Sequence, residues 1–318
     1  GISSRVLVIG PPNRELISAA IAADLALAGG TFDILSVRSQ KARELGRPAR
    51  LHLKLETGLH RYGIEREAAL ALAQSVVSDP NLRLDGVYSH LASADEVEDR
   101  FIETQVERFA QTVRELRETG IALPFVHLAN SAAALRGVIP KIEGSTPVVR
   151  SGYALYGLSP SKEVPVPAGF RPLLTLKSRI ARQFTLPAGE GVSYGRTFMA
   201  ARATRCATLP IGYGDGLSRQ LSNQGWALVH GARCPIVGRV AMDQTVISVE
   251  QAPNVAEGDE VTLIGVGHDG AMTVDIAAAL CNTIGYEIVT ALSARLPRVY
   301  LRDGQPVAVS DLLGLVEE

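Results

Sequence analysis

Up to about residue 160, short apolar runs alternate with amphipathic stretches, and no other feature of the chain restricts its fold so tightly. The apolar runs fall at 5–10 (RVLVIG), 32–36, 50–56 (RLHLKLE), 84–90 (LDGVYSH), 125–129 and 148–153. Between them, 15–28, 65–78 and 97–119 carry apolar residues three and four apart, the spacing of a helix with one buried face. Strand and helix repeated in this way predict parallel βαβ units, hence a doubly wound sheet or a (β/α)8 barrel. A closed barrel has eight strands and six are predicted, so either the sheet is open or two βα units are absent.

From about Pro172 the rhythm changes. The runs 173–186, 207–216, 226–240, 259–267 and 298–310 are strand-like and separated by Gly and Pro turns, with Asp303-Gly304 a two-residue hairpin signal and Gly231 and Gly270 marking further turns. One helix is predicted over 274–280. The second half therefore reads as a mainly antiparallel β domain, joined through the Pro-rich stretch 160–172 (PSKEVPVPAGFRP), where proline can continue neither a ladder nor a helix. The expected division is a barrel domain over 1–165 and a β domain over 166–318.

Composition narrows the function classes. A formal net charge of -1, with Lys and Arg scattered, leaves no electrostatic footprint for nucleic acid or an anionic membrane. No apolar run approaches the roughly 20 residues that span a bilayer. Cys206, Cys234 and Cys281 are far apart and odd in number, which predicts free thiols in a reducing cytoplasm and no metal site.

Four segments of the first half carry chemistry. In 51–64 (LHLKLETGLHRYGI), alternation puts His52, Lys54 and Glu56 on one face of a strand and Leu51, Leu53 and Leu55 on the other; Arg61 follows just past the strand end, where barrel enzymes place their active sites. Such a charged face is either a solvated edge or, inside a barrel, a set of charges that must be paired or ligand-bound. His90 ends the run 84–90, where a lone histidine more often serves structure than function. In 126–136 (VHLANSAAALR), Ser131 opens a helix-forming run, as an N-cap or as a hydroxyl for a phosphate. In 148–158 (VVRSGYALYGL), Arg150 at a strand end and Gly152 suit a group that needs a cation and close backbone approach.

Taken together, HLKLETGLHRYGI, ANSAAALR, VRSGYALYGLSP, VSYGRTF, LPIGYGDG, PIVGRVAMDQ and SARLPRVY, in this order and spacing, resemble the fold-type III alanine racemases over essentially the whole chain. The resemblance implies a (β/α)8 barrel with a C-terminal β domain, pyridoxal 5'-phosphate as cofactor, alanine as substrate, D-alanine supply for peptidoglycan, and a homodimer with shared active sites. It implies Tyr194 as the base that acts from the partner subunit on L-alanine. An ordinary tyrosine titrates near pH 10, so a neighbouring cation is needed, and Arg61 is the candidate. Arg61 is further implied at the substrate carboxylate, beside the Met242 backbone N–H, and Arg150 at the pyridine nitrogen with His90 orienting it. Ser131, Gly152, Tyr153 and Tyr286 match phosphate-binding positions. Lys54 matches a lysine that is often carbamylated; Tyr213, Asp95, Arg219 and Arg239 match the entrance to the substrate pocket.

The sequence departs from the family in one respect that matters. The Schiff-base lysine belongs to a motif close to VKANAYGHG, and none of Lys41, Lys54, Lys141, Lys162 and Lys177 stands in such a context. RVLVIG matches the family's third barrel strand, so the expectation is the remainder of a longer racemase, with two βα units upstream of Gly1. The same residues leave open a broad-specificity or serine racemase, and a lysine-less protein that binds pyridoxal phosphate or serves as a dimerisation partner.

Overall fold

The structure, a computed structural model, describes residues 3–267 and 270–317, and the chain divides into two compact units, Gly1–Phe170 and Arg171–Glu318. The first unit runs β1 (Leu7–Val8), α1 (Ile17–Ala22), β2 (Ala26–Ala28), α2 (Phe32–Leu45), β3 (Ala49–Lys54), α3 (Arg66–Ser78), β4 (Leu82–Tyr88), α4 (Phe101–Glu118), β5 (Phe125–Asn130), α5 (Ser131–Leu135) and β6 (Thr146–Arg150). Its six strands form one parallel sheet in sequence order, each crossing to the next through a helical segment or loop. This is the wall of an α/β barrel.

One strand lies elsewhere than the periodicity predicts. Residues 32–36 are the first turn of α2, and the second strand is Ala26–Ala28, assigned by pattern to the end of a helix. The cause is local. Ala26, Leu27 and Ala28 are all buried, and the strand pairs on both sides, with β1 and β3. The chain then turns at Gly29, whose N–H donates to the His52 carbonyl and whose added Cβ would lie 2.8 Å from the Leu53 side chain. Only beyond this turn does α2 start, burying Leu35, Arg38 and Ala42.

The core lies between sheet and helices. Leu51, Leu53 and Leu55 pack into one cluster with Leu72 and Val76 of α3 and Phe109, Val113 and Leu116 of α4. Each fully buried leucine is worth about 2 kcal/mol of transfer free energy. The other face of β3 presents His52 and Lys54, both buried. At the N-terminal end of the strands, Arg50 and Asp85 form a buried pair at 2.7 Å, with Arg83 on the second carboxylate oxygen.

The second unit is built from short antiparallel strands. These are β7 (Leu176–Arg179), β8 (Arg182–Leu186), β9 (Gly191–Val192), β10 (Phe198–Met199), β11 (Thr204–Leu209), β12 (Trp226–Val229), β13 (Ala232–Pro235), β14 (Thr245–Ser248), β15 (Glu260–Ile264), β16 (Arg298–Arg302), β17 (Gln305–Asp311) and β18 (Gly314–Glu317). They form sheets β14-β11-β8, β13-β12-β15-β7 and β16-β17-β18, plus the β9–β10 pair. Asp303 and Gly304 take φ 51° and 79°, the double left-handed turn that closes the β16–β17 hairpin. Two helices, α6 (Val274–Leu280) and α7 (Gly285–Thr290), complete the unit, and Thr273 caps α6 by accepting the Ile276 N–H. Among the described residues no helix is long and apolar enough to cross a membrane.

Candidate active site

The C-terminal ends of β3 to β6 gather the polar residues of the first unit. Strand register explains which ones meet. Lys54 is opposite Tyr88, Tyr88 opposite His127, and His127 opposite Val148, two residues before Arg150, so Lys54, Tyr88, His127 and Arg150 of four neighbouring strands share a face. At its centre Arg150 is half-buried. Its Nη1 donates to His127 Nδ1 at 2.9 Å; its Nη2 faces the Ser89 carbonyl at 2.7 Å, the Leu128 carbonyl at 3.1 Å and His90 Nδ1 at 3.3 Å. Among the described residues Nε has no partner. Burial lowers the Arg150 guanidinium to about 10, against the opposing influence of Tyr88, and leaves it cationic at neutral pH.

That cation sets the protonation of its surroundings. Burial, then the charges of Arg150, Arg61 and Lys54, lowers His90 to about 4. His90 is therefore neutral and accepts at Nδ1, which places its proton on Nε2. Burial also lowers the Lys54 amine, with Arg61 and Arg150 in the same direction and Glu56 against them. Its Nζ lies 5.2 Å from the Tyr62 ring centre and 5.9 Å from that of Tyr88. Arg61 is exposed in the loop after β3, and its guanidinium has no partner among the described residues. Glu56 organises that loop by accepting the Thr57 and Gly58 N–H groups.

Beyond β5, the Asn130 side chain caps α5 on the Ala133 N–H, and the buried Ser131 hydroxyl accepts from the Gly152 and Ala154 N–H groups at 3.1 and 3.4 Å. A Cβ on Gly152 would meet nothing within 4 Å, so the backbone there faces open space. Tyr153 is buried. Asp95 is half-buried, and its carbonyl accepts from the Ser161 hydroxyl.

The second unit brings together a different set. Tyr194 begins a one-turn segment with Ser193 at φ 63° and Gly195 at φ 72°, and its side chain is 71% exposed. Ser193 ties this turn to Arg239 by donating to its carbonyl, and the Arg239 guanidinium lies 3.6 Å from where a Gly195 Cβ would be. The turn at Tyr213 joins Met242 through the backbone: Tyr213 N–H to the Ala241 carbonyl, Gly214 N–H to that of Met242. Asp215, buried, accepts from Gly212 N–H at 2.9 Å and Arg295 Nε at 2.7 Å, so LPIGYGDG, VAMDQ and SARLPRVY converge. Arg219 is exposed on the next turn, and Tyr286 lies on α7.

Of the residues singled out by sequence, the first unit thus gathers Lys54, His90, Ser131, Arg150, Gly152 and Tyr153 at one sheet end. The second gathers Tyr194, Arg239, Tyr213 and Met242 on adjoining turns. Sequence reasoning passed over His127, Tyr88 and Asp215. The first two follow His52 and Lys54 at alternate positions of neighbouring strands, a pattern visible only once strand order is known.

Two family profiles match this chain: "Alanine racemase, N-terminal domain" over residues 1–160 and "Alanine racemase, C-terminal domain" over 173–300. An alanine racemase of Desulfovibrio desulfuricans is 37% identical over 301 residues, covering 95% of this chain and 79% of that one. One of Symbiobacterium thermophilum is 38% identical over 300 residues, 94% and 78%. The crystal structure of the Bacillus anthracis alanine racemase with bound L-Ala-P superposes with a TM-score of 0.88 at 36% identity, covering 98% of this chain and 80% of that one. That of Streptomyces coelicolor A3(2) gives 0.84 at 33% identity, covering 95% and 80%.

Proposed function

The chain belongs to the alanine racemase family, and on that premise we propose how its own residues interconvert L- and D-alanine with pyridoxal 5'-phosphate. The residues fit the cofactor. Gly152 opens onto empty space beside the Ser131 hydroxyl, room and a donor for a phosphate, and Arg150 leaves Nε without a partner among the described residues. When bound, the cofactor supplies an electron sink that acidifies the α-carbon of an amino acid joined to it.

The observation that carries the reading is the setting of Arg150. Four neutral acceptors hold its Nη groups and leave Nε as the donor that would meet the ring nitrogen of the cofactor. An arginine there would donate and not give up a proton, and would so favour an unprotonated ring nitrogen. His90 orients Arg150. Ser131, Gly152, Tyr153 and Tyr286 hold the phosphate. Arg61 and the Met242 N–H bind the substrate carboxylate, while Tyr213, Asp95, Arg219 and Arg239 line the entrance.

Tyr194, contributed by the partner in a homodimer, would take the α-proton from L-alanine on one face; D-alanine, for peptidoglycan, forms when a second acid protonates the other face, and none of the residues assigned here is that acid. The barrel domain (1–165) thereby supplies the cofactor site and the β domain (166–318) the exposed base. The burial-lowered Lys54 amine supports carbamylation, which needs the free base, and the carbamate would hold Arg61 by charge. None of the five lysines stands in the family's cofactor-binding motif, and none is assigned that role. Residues kept for proton transfer do not favour a purely binding protein, and alanine is the substrate named for the relatives.

The test is a coupled assay with pyridoxal phosphate and L-alanine or L-serine. Alanine turnover that Tyr194→Phe reduces at least a hundredfold is expected. Serine turnover exceeding alanine, or full activity in the variant, overturns the assignment.

A further inference from the structure

β3 and β5 are not neighbours. β4 lies between them, and two strand spacings amount to about 10 Å. Yet His52 of β3 and His127 of β5 meet, Nδ1 to Nε2, at 3.0 Å. They reach each other across Gly86 of β4. A Cβ on Gly86 would lie 2.9 Å from His52 Nδ1 and 2.3 Å from the Phe125 carbonyl, so only glycine leaves the gap open. Both rings are held from their faces as well: Tyr88 stacks on His127 at 4.7 Å and 6°, Phe125 on His52 at 6.1 Å and 18°.

Hydrogen-bond directions follow from one fact. Arginine only donates. Arg150 Nη1 at His127 Nδ1 therefore fixes Nδ1 as the acceptor, and His127 carries its proton on Nε2. That N–H points at His52 Nδ1, which must accept, so His52 in turn carries its proton on Nε2. The chain runs one way, Arg150 to His127 to His52.

We propose that His127 and His52 are positioning residues, a tautomer-fixed relay bridged over Gly86 that pins Arg150 in its donating orientation toward the cofactor ring. The proposal rests on the assignment of Arg150 above. Both rings are neutral at physiological pH, since burial lowers His127 to about 2 and His52 to about 4. The charges that face them are Arg150 on β6 and, for His52, Asp85 on β4 and Arg50 on its own strand. A protonated His127 would turn its acceptor into a donor facing Arg150 and break the chain at its first link.

The test begins with the protein free of cofactor. Long-range 15N–1H correlation of the histidine side chains should show both residues protonated on Nε2 and bare at Nδ1 at pH 7. Kinetics of the holoenzyme follow. His52→Phe keeps a ring but removes the acceptor, and should lower kcat about tenfold with alanine KM nearly unchanged; His52→Gln, which restores an acceptor oxygen, should recover most of it. An Nδ1-protonated or charged His127 overturns the proposal, whether or not the variants fold. So does a His52→Phe enzyme with wild-type kcat. An inactive wild-type protein showing the expected tautomers would instead refute the racemase reading and leave the relay standing.

Discussion

Replacing Asp215 by alanine removes the acceptor on which the Tyr213 turn depends. Asp215 is 6% exposed; one carboxylate oxygen takes the Gly212 N–H at 2.9 Å and the other takes Arg295 Nε at 2.7 Å. Arg295 is half-exposed and regains water when its partner goes, so the loss is dominated by the buried Gly212 N–H. A hydrogen bond to a charged acceptor is worth about 1.5–3 kcal/mol, which predicts a destabilisation of about 2 kcal/mol. With a urea slope of about 2 kcal/mol/M, the midpoint falls by about 1 M. Trp226, the single tryptophan, lies in β12 and reports the unfolding of the second unit by fluorescence. Asp215→Asn keeps an acceptor without the charge and should fall between wild type and Asp215→Ala. Because the Tyr213 and Gly214 N–H groups align this turn on Ala241 and Met242, the alanine variant should also raise KM for alanine. A midpoint shift below about 0.3 M, or an asparagine variant no better than alanine, would refute the reasoning.

Further outcomes follow from the same geometry. His52, His90 and His127 are held by burial at about 4, 4 and 2, against about 6.5 in an unfolded chain. Below pH 6.5 the unfolded chain binds more protons, so stability is complete above that pH and is lost progressively toward pH 4, further for His127; urea midpoints by circular dichroism at pH 7 and 5 check it, and equal values would contradict it. Asp85→Ala leaves the buried Arg50 guanidinium with Asp24 alone, at 3.3 Å, and should cost about 2 kcal/mol in equilibrium unfolding, whereas Arg83→Ala, at the exposed side of the cluster, should cost less than about 1. Gly216→Ala places a Cβ 2.3 Å from the Ala291 carbonyl at φ +101° and should unfold the second unit several degrees earlier in a thermal melt.

Much of the first unit was legible because two periods dominate it. Leucines and polar residues alternate cleanly through 51–56, and the structure sends the leucines to the helices and His52 and Lys54 to the opposite face. Ala26–Ala28 was not legible: alanine carries no strand preference, while the apolar Phe32, Ile34 and Leu35 imitate a strand until the glycine turn before them is seen. In the second unit, Asp303-Gly304 declares its hairpin outright, since only that turn needs two left-handed residues. The site residues that escaped did so through distance in sequence. Asp215 and Arg295 are 80 residues apart, His52 and His127 75, and neither pair is adjacent until tertiary structure forms. Gly86, inside the apolar run 84–90, carries no local signal because its purpose belongs to the rings that pass over it.

Racemisation requires that the α-proton of alanine leave one face and a proton arrive on the other. The most direct measurement is proton NMR of L-alanine incubated with the protein and pyridoxal phosphate in deuterium oxide, with the enantiomers resolved at each time point. Racemisation predicts D-alanine carrying deuterium at the α-carbon, appearing until the enantiomers are equal. No D-alanine, with the α-proton of L-alanine intact, would contradict it.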